Sequence, residues 1–317
     1  MIKTTTPPNE GLTRRDLFKF GAIGIGAIAL TPLSNSLFPE RAHGLTVNTV
    51  TDRDFLDYSS IKIDSSLCKM EPDSVLFSGN SKAYKRYDSS TGYRFLIIAV
   101  PKNTLPENLT IEATYNTVGF DSSTDQKLGC KVRITNIIRP INIPTTPASG
   151  RGECGVYFYN FSNSNFAIGQ WGNESMDVEW EFFYSDNPSE TFSLKDKLIT
   201  LSSIDYRSES GRGGIHEGFI LPENISSIYL SDDTCVAADG TFSNYQSYAG
   251  VLYGYKKPSS GNDNYYRQTG VSWICPSDKP QLKIVNTFTC DTGFNLSFRP
   301  ITNSKPNEPI KTYKLTS

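Results

Sequence analysis

Asp177-Val178-Glu179-Trp180-Glu181-Phe182 alternates a carboxylate with a large apolar residue at every step. Successive side chains of an extended strand point to opposite faces. Val178, Trp180 and Phe182 are therefore predicted to enter a core, while Asp177, Glu179 and Glu181 form a row on the other face. Comparable strand patterns recur at residues 93–100, 109–115, 130–138, 155–161, 197–204, 227–230, 250–255, 270–274, 282–288 and 294–299. Turn formers punctuate them, among them Asp186-Asn187-Pro188, Ser259-Ser260-Gly261-Asn262-Asp263 and Pro276-Ser277-Asp278-Lys279-Pro280. No sustained 3.6-residue period follows the N-terminal segment. The pattern predicts an all-β chain, an antiparallel β-sandwich of jelly-roll or lectin-like type.

The N-terminal segment reads differently. Thr13-Arg14-Arg15-Asp16-Leu17-Phe18-Lys19 stands before a short Gly- and Ala-rich apolar run, residues 20–30. Paired arginines in that setting mark a twin-arginine export signal, with Arg14 and Arg15 as its motif. A bilayer-spanning helix needs about 20 apolar residues, and this run stops at about half that length. Ala42-His43-Gly44 supplies the small residues that signal peptidase requires, which places cleavage before Leu45. Residues 1–44 are thus the expected signal peptide, and 45–317 a single large β-sandwich domain. A Pro-rich stretch at 139–152 is its one candidate internal boundary. The expected partners during export are the twin-arginine translocase and signal peptidase. The mature chain is expected to be secreted or held at the cell surface, with no transmembrane segment.

Removing 44 of the 317 residues leaves 273, and the five basic and three acidic residues lost take the net charge from −2 to −4. A mildly acidic chain lacks the basic face that nucleic acid requires, so no nucleic-acid partner is expected. All six cysteines, Cys68, Cys130, Cys154, Cys235, Cys275 and Cys290, follow the cleavage site, and an oxidising exterior makes three disulfides the simplest expectation. Geometry argues against two pairings: on the predicted strands neither Cys275 with Cys290 nor Cys130 with Cys154 comes within disulfide reach. No two cysteines have the close spacing of zinc ligands, and His216 is the sole mature histidine.

Ala113-Thr114-Tyr115-Asn116-Thr117-Val118-Gly119, a polar loop, and Lys127-Leu128-Gly129-Cys130-Lys131-Val132-Arg133-Ile134 resemble the strand–loop–strand of the lectin-like β-sandwich modules of Gram-positive fibrillar adhesins. The later order is similar: Ala167-Ile168-Gly169, the segment 177–184, Leu198 through Ser203-Ile204-Asp205-Tyr206, then Glu217-Gly218-Phe219. The resemblance covers roughly residues 109–250. It implies a β-sandwich with an adhesin-like role at the cell surface, and it carries no ligand residue. The chain departs from such modules in its six cysteines, its twin-arginine leader and its lack of a sorting signal or repeat region.

Candidate sites fall into three groups. The row Asp177, Glu179, Glu181 has the residue types of a jelly-roll glycoside hydrolase, whose retaining members hold two carboxyls about 5–5.5 Å apart; a solvated strand face explains the same row. Asp205, Glu217, Asp232, Asp233 and Asp239 are oxygen donors on predicted loops, which makes calcium the one cofactor the sequence allows, although no EF-hand spacing is present. Trp171, Tyr245, Tyr248, Tyr265 and Tyr266 are the candidate binding aromatics, since loop rings offer contact area at small entropic cost. His216 lies between Gly213-Gly214 and Glu217-Gly218, and no serine carries a Gly-x-Ser-x-Gly elbow, so it reads as a surface loop histidine. These features point to an adhesin-like protein that binds a glycan or a host or matrix protein and performs no chemistry. A carbohydrate-active jelly-roll hydrolase is the alternative, and a structural component of a surface assembly the second.

Overall fold

A computed structural model buries Val178, Trp180 and Phe182 completely, each 0% exposed, and leaves Asp177, Glu179 and Glu181 half-buried on the other face of the same strand. The structure describes residues 45–47, 61–64, 66–68, 72–88, 95–101, 104–139, 153–159, 166–207, 215–222, 225, 227–243, 247–259, 262–286, 292–298, 304 and 311–314. The chain divides into two units, Met1–Glu40 and Arg41–Ser317, and every described residue belongs to the second. Arg14, Arg15, Tyr245 and Cys290 lie outside the described residues.

In chain order the strands begin with β1 (Leu45–Val47), β2 (Ile61–Ile63), β3 (Val75–Ser78), β4 (Tyr84–Asp88), β5 (Phe95–Pro101), β6 (Thr110–Asp121) and β7 (Lys127–Ile138). There follow β8 (Glu153–Tyr159), β9 (Phe166–Trp171), β10 (Ser175–Tyr184), β11 (Asn187–Phe192), β12 (Leu198–Ser202), β13 (Tyr206–Arg207) and β14 (Ile215–Ile220). The last are β15 (Ser227–Leu230), β16 (Val236–Ser243), β17 (Ser247–Gly254), β18 (Val271–Ile274), β19 (Gln281–Asn286), β20 (Thr292–Ser297) and β21 (Lys311–Lys314), with one short helix, α1 (Asn262–Gln268), between β17 and β18. The first sheet runs β1, β21, β15, β18, β12, β20, β9, β8, β5, β4. The second runs β16, β17, β14, β19, β10, β7, β6, β2, with β3 also on β6, β11 on β10 and β13 on β14. Neighbouring strands are antiparallel throughout, as the sequence pattern predicts.

Two aromatic contacts join the sheets and fix which faces look inward. Phe182 of β10 meets Phe298, just past β20, edge to face at 5.3 Å, and Phe219 of β14 meets Trp273 of β18 at 6.1 Å. Register then carries the assignment across the second sheet. Val178, Trp180 and Phe182 stand opposite Ile134, Val132 and Cys130 of β7, which face Ile111, Ala113 and Tyr115 of β6. All nine are 0% exposed, so this block is the centre of the core. Truncating one of its large aromatics to alanine costs about 3–5 kcal/mol by cavity formation.

The expected disulfides are corrected by the structure. Cys68, Cys130, Cys154, Cys235 and Cys275 are free, buried thiols. Cys130 faces Tyr115 and Phe182 in the second sheet, whereas Cys154 faces Val100 in the first, so neither has a cysteine opposite it. The sulfurs satisfy themselves locally instead: Cys68 Sγ donates to the carbonyls of Asp64 and Val118, both at 3.4 Å, and Cys275 Sγ to that of Ser277 at 3.1 Å. A buried cysteine of this kind packs as a small apolar residue. Helix α1 is a second difference, since its first two residues belong to a stretch that reads as a turn.

Candidate functional site

The carboxylate row lies on the outer face of the second sheet, at its middle strand. Asp177 stands directly opposite Lys283 of β19, and Lys283 Nζ reaches Asp177 Oδ1 at 2.6 Å. Glu181 Oε2 takes Lys279 Nζ at 2.7 Å, and Glu179 faces Arg133 and Gln281 across the two ladders. Lateral pairing with cations explains why three like charges stand two residues apart on one strand. Within the row, Asp177 and Glu181 each pair with a lysine.

One member of the row differs from the others. The ladder between β10 and β7 slips between Ser175 and Asp177, an irregularity that leaves Asn136 bulged out of the pairing. Asn136 takes a φ of 50°, a left-handed conformation that a residue other than glycine rarely adopts. Its side-chain Nδ2 donates to Asp177 Oδ2 at 2.7 Å. Bulges re-aim side chains and concentrate near functional sites. Asp177 is thereby held from both sides, by an amide and an ammonium, with its side chain 13% and that of Lys283 33% exposed.

The β16–β17 hairpin reaches this same spot. Its ladder slips on either side of Gly240, and Gly250 adopts a φ of 67°. Tyr248 packs with Val251 of its own strand and Val285 of β19. Its hydroxyl donates to Ser175 Oγ at 3.0 Å. Burial, aided by the Glu174 carboxylate, pushes that hydroxyl up to about 12. Tyr248 reads as a loop ring in the sequence; in the structure it is a strand residue, 8% exposed, anchoring the hairpin beside Asp177.

A second polar group gathers at helix α1. The Tyr265 hydroxyl donates to Asp205 Oδ2 at 2.6 Å and lies 2.9 Å from Ser203 Oγ. Asp205 and Glu217 are tied together by two hydrogen bonds: Asp205 N–H to Glu217 Oε2 at 3.1 Å, and Glu217 N–H to the Asp205 carbonyl at 3.0 Å. Tyr266 stacks edge to face on Tyr265 at 5.6 Å. The helix also anchors the other acidic pair, because Arg267 grips Asp233 through two nitrogens at 3.1 and 2.7 Å, and Asp232 receives the Ser304 N–H at 2.7 Å. Asp239 falls in β16, apart from both groups in the chain. Of the calcium candidates whose side chains are described, Asp205 is brought together with Glu217, and Asp232 stands beside Asp233. Among the described residues no group of three or more His, Cys, Asp or Glu gathers as a metal site would.

Trp171 needs correction as a binding aromatic. It closes β9 with 8% exposure, its ring 5.5 Å from that of Tyr157 and its Nε1 donating to the Glu153 carbonyl at 3.1 Å. The loop histidine is likewise revised: His216 falls in β14, opposite Tyr206. No local pattern marks Asn136 or Lys283: Asn136 meets Asp177 through the slip in the β10–β7 ladder, and Lys283 through the pairing of β10 with β19, 106 residues further along the chain. Among the described residues no helix is long and apolar enough to cross a membrane.

No family model matches the sequence, and no curated protein matches it. Solved structures that the chain resembles include bacterial adhesin domains and a glucan-binding protein. The N-terminal domain of the Streptococcus gordonii adhesin Sgo0707 shares 11% identity at a TM-score of 0.49, over 76% of this chain and 64% of that one. This chain thus spans less than two thirds of that domain. Glucan Binding Protein C of Streptococcus mutans gives 10% identity and a TM-score of 0.48, over 80% of both chains. The adhesin domain of PrgB from Enterococcus faecalis, solved bound to DNA, gives 12% and 0.46, over 86% of this chain and 97% of its own.

Proposed function

We propose that this chain is an exported, adhesin-like binding module that holds a glycan or an extracellular protein and performs no chemistry. The observation that carries the reading is the state of the carboxylate row. Asp177 and Glu181 are each committed to a lysine at 2.6 and 2.7 Å, charge-assisted hydrogen bonds that fix both carboxylates in place on the sheet face and orient them for binding. The leader places the protein outside the cytoplasm, delivered by the twin-arginine translocase and trimmed by signal peptidase.

The test sets retention against turnover on the same preparations. Full-length protein is screened on immobilised polysaccharides and on matrix proteins, beside a reducing-sugar release assay. Retention without sugar release is expected, for the wild type and for Glu179→Gln alike. Release by the wild type that disappears in Glu179→Gln or Glu181→Gln would establish the hydrolase instead.

A further inference from the structure

We propose that Asn136, Asp177 and Lys283 form a subsite for the neighbouring hydroxyls of a neutral glycan, roofed on one side by the Tyr248 hairpin. The proposal rests on the binding reading above and names the ligand class for it.

Three features separate this set from an ordinary cross-strand ion pair. The first is strain: an exposed asparagine is kept at a φ of 50° at a ladder slip, and its amide is aimed at a carboxylate, not at solvent. Such conformations cost free energy and persist where the surrounding fold imposes them. The second is charge. One carboxylate and one ammonium cancel, so the set favours an uncharged ligand over an anion or a cation. The third is capacity. Asp177 accepts one bond at each oxygen and keeps a lone pair on both, Lys283 has donors beyond the one it spends, and Asn136 keeps its second amide N–H. A hydroxyl both donates and accepts, so two adjacent hydroxyls can satisfy the set: one bridges Asp177 and Lys283, the other Asp177 and Asn136.

A protein ligand fits the place less well. Interface cores are built on exposed apolar area, and the large apolar side chains exposed among the described residues are Leu76 and Tyr87, on β3 and β4. Neither strand is a neighbour of β10 or β19. What borders the subsite is the ring of Tyr248, whose hydroxyl is fixed on Ser175 at 3.0 Å, with half-buried Tyr253 packed in the same cluster.

Affinity electrophoresis of the full chain through gels containing dextran, mannan or amylopectin tests the subsite, with periodate-oxidised polysaccharide as the second arm. Periodate cleaves the carbon–carbon bond between adjacent hydroxyls to two aldehydes, and borohydride reduction before use converts these to alcohols, so the adjacent pair is lost and no aldehyde remains to form imines with lysines. The informative variant is Asn136→Gly, because glycine accepts the left-handed backbone and loses only the amide; Glu112→Gln is the surface control. Retardation by at least one native polysaccharide is expected, lost on oxidation. Asn136→Gly should weaken it roughly tenfold, as loss of one hydrogen bond to the ligand together with the amide that orients Asp177 would, with an unfolding midpoint close to wild type because relief of the left-handed backbone offsets the lost bond. Retardation unaffected by oxidation or by Asn136→Gly overturns the subsite. So does retention confined to fibrinogen or collagen surfaces, which leaves the binding module standing. Retention on no polysaccharide and no protein overturns both.

Discussion

The Tyr265 hydroxyl donates to Asp205 Oδ2 at 2.6 Å across sixty residues of chain. This bond pins helix α1 to the turn after β12, where Ser203 takes a φ of 72°. Burial and the Asp205 carboxylate together hold the phenol well above its ordinary value, so it remains a donor at any physiological pH. Tyr265→Phe is expected to cost about 1.5–3 kcal/mol, the range for a hydrogen bond to a charged group. Thermal unfolding measures it, and an unchanged midpoint would show that the helix is held by packing alone.

Asp233 predicts a pH dependence. Burial raises its carboxyl, but hydrogen bonds from Arg267, Ser231 and Gln268 outweigh burial and hold it far below the usual carboxylate range. A depressed folded value contributes stability that is fully present above the unfolded value of about 3.9 and is lost as pH falls through the folded value. Asp233→Asn should therefore destabilise at pH 7, and its deficit relative to wild type should shrink on acidification below about pH 4. Denaturant titrations at both pH values check the sign; a deficit that grows on acidification contradicts it.

The thiols should be inert while the protein is folded. Burial pushes Cys68 up to about 12 and Cys154 and Cys275 to about 11, so almost no thiolate is present near neutrality. Iodoacetamide is expected to spare Cys68, Cys130, Cys154, Cys235 and Cys275 in native protein and to label each after denaturation without reductant. Peptide mapping that finds a disulfide between any two of them would contradict the structure.

Export should depend on Arg14 and Arg15, and secreted protein should begin at Leu45. An Arg14→Lys, Arg15→Lys double variant is expected to accumulate in the cytoplasm. N-terminal mass analysis reads the cleavage site, and normal secretion of the variant would remove the twin-arginine assignment.

The strands were legible where alternation is strict. Residues 177–182 lie inside β10, and 130–138 inside β7, because one face of each is buried and the other wet. Legibility failed where backbone geometry breaks the period. Tyr248 lies in a strand with a left-handed Gly250 two residues on, so its neighbours alternate poorly. Helix α1 is seven residues long, too short to display a period of 3.6 against the turn residues that open it. The row of carboxylates was visible, but its unequal members were not. What distinguishes Asp177 from Glu179 is the bulged Asn136 on the neighbouring strand, and local sequence carries no record of which residue a ladder will skip.

The first and last described strands, β1 and β21, lie side by side, with Leu45 opposite Tyr313 and Val47 opposite Lys311. Because they are antiparallel, the chain enters and leaves the fold at the same end of that pair. Tension between the two ends would load these hydrogen bonds one after another, as a zipper opens, instead of shearing them together. The first contacts to yield are then three residue pairs at a sheet margin, before the load passes to the β21–β15 ladder.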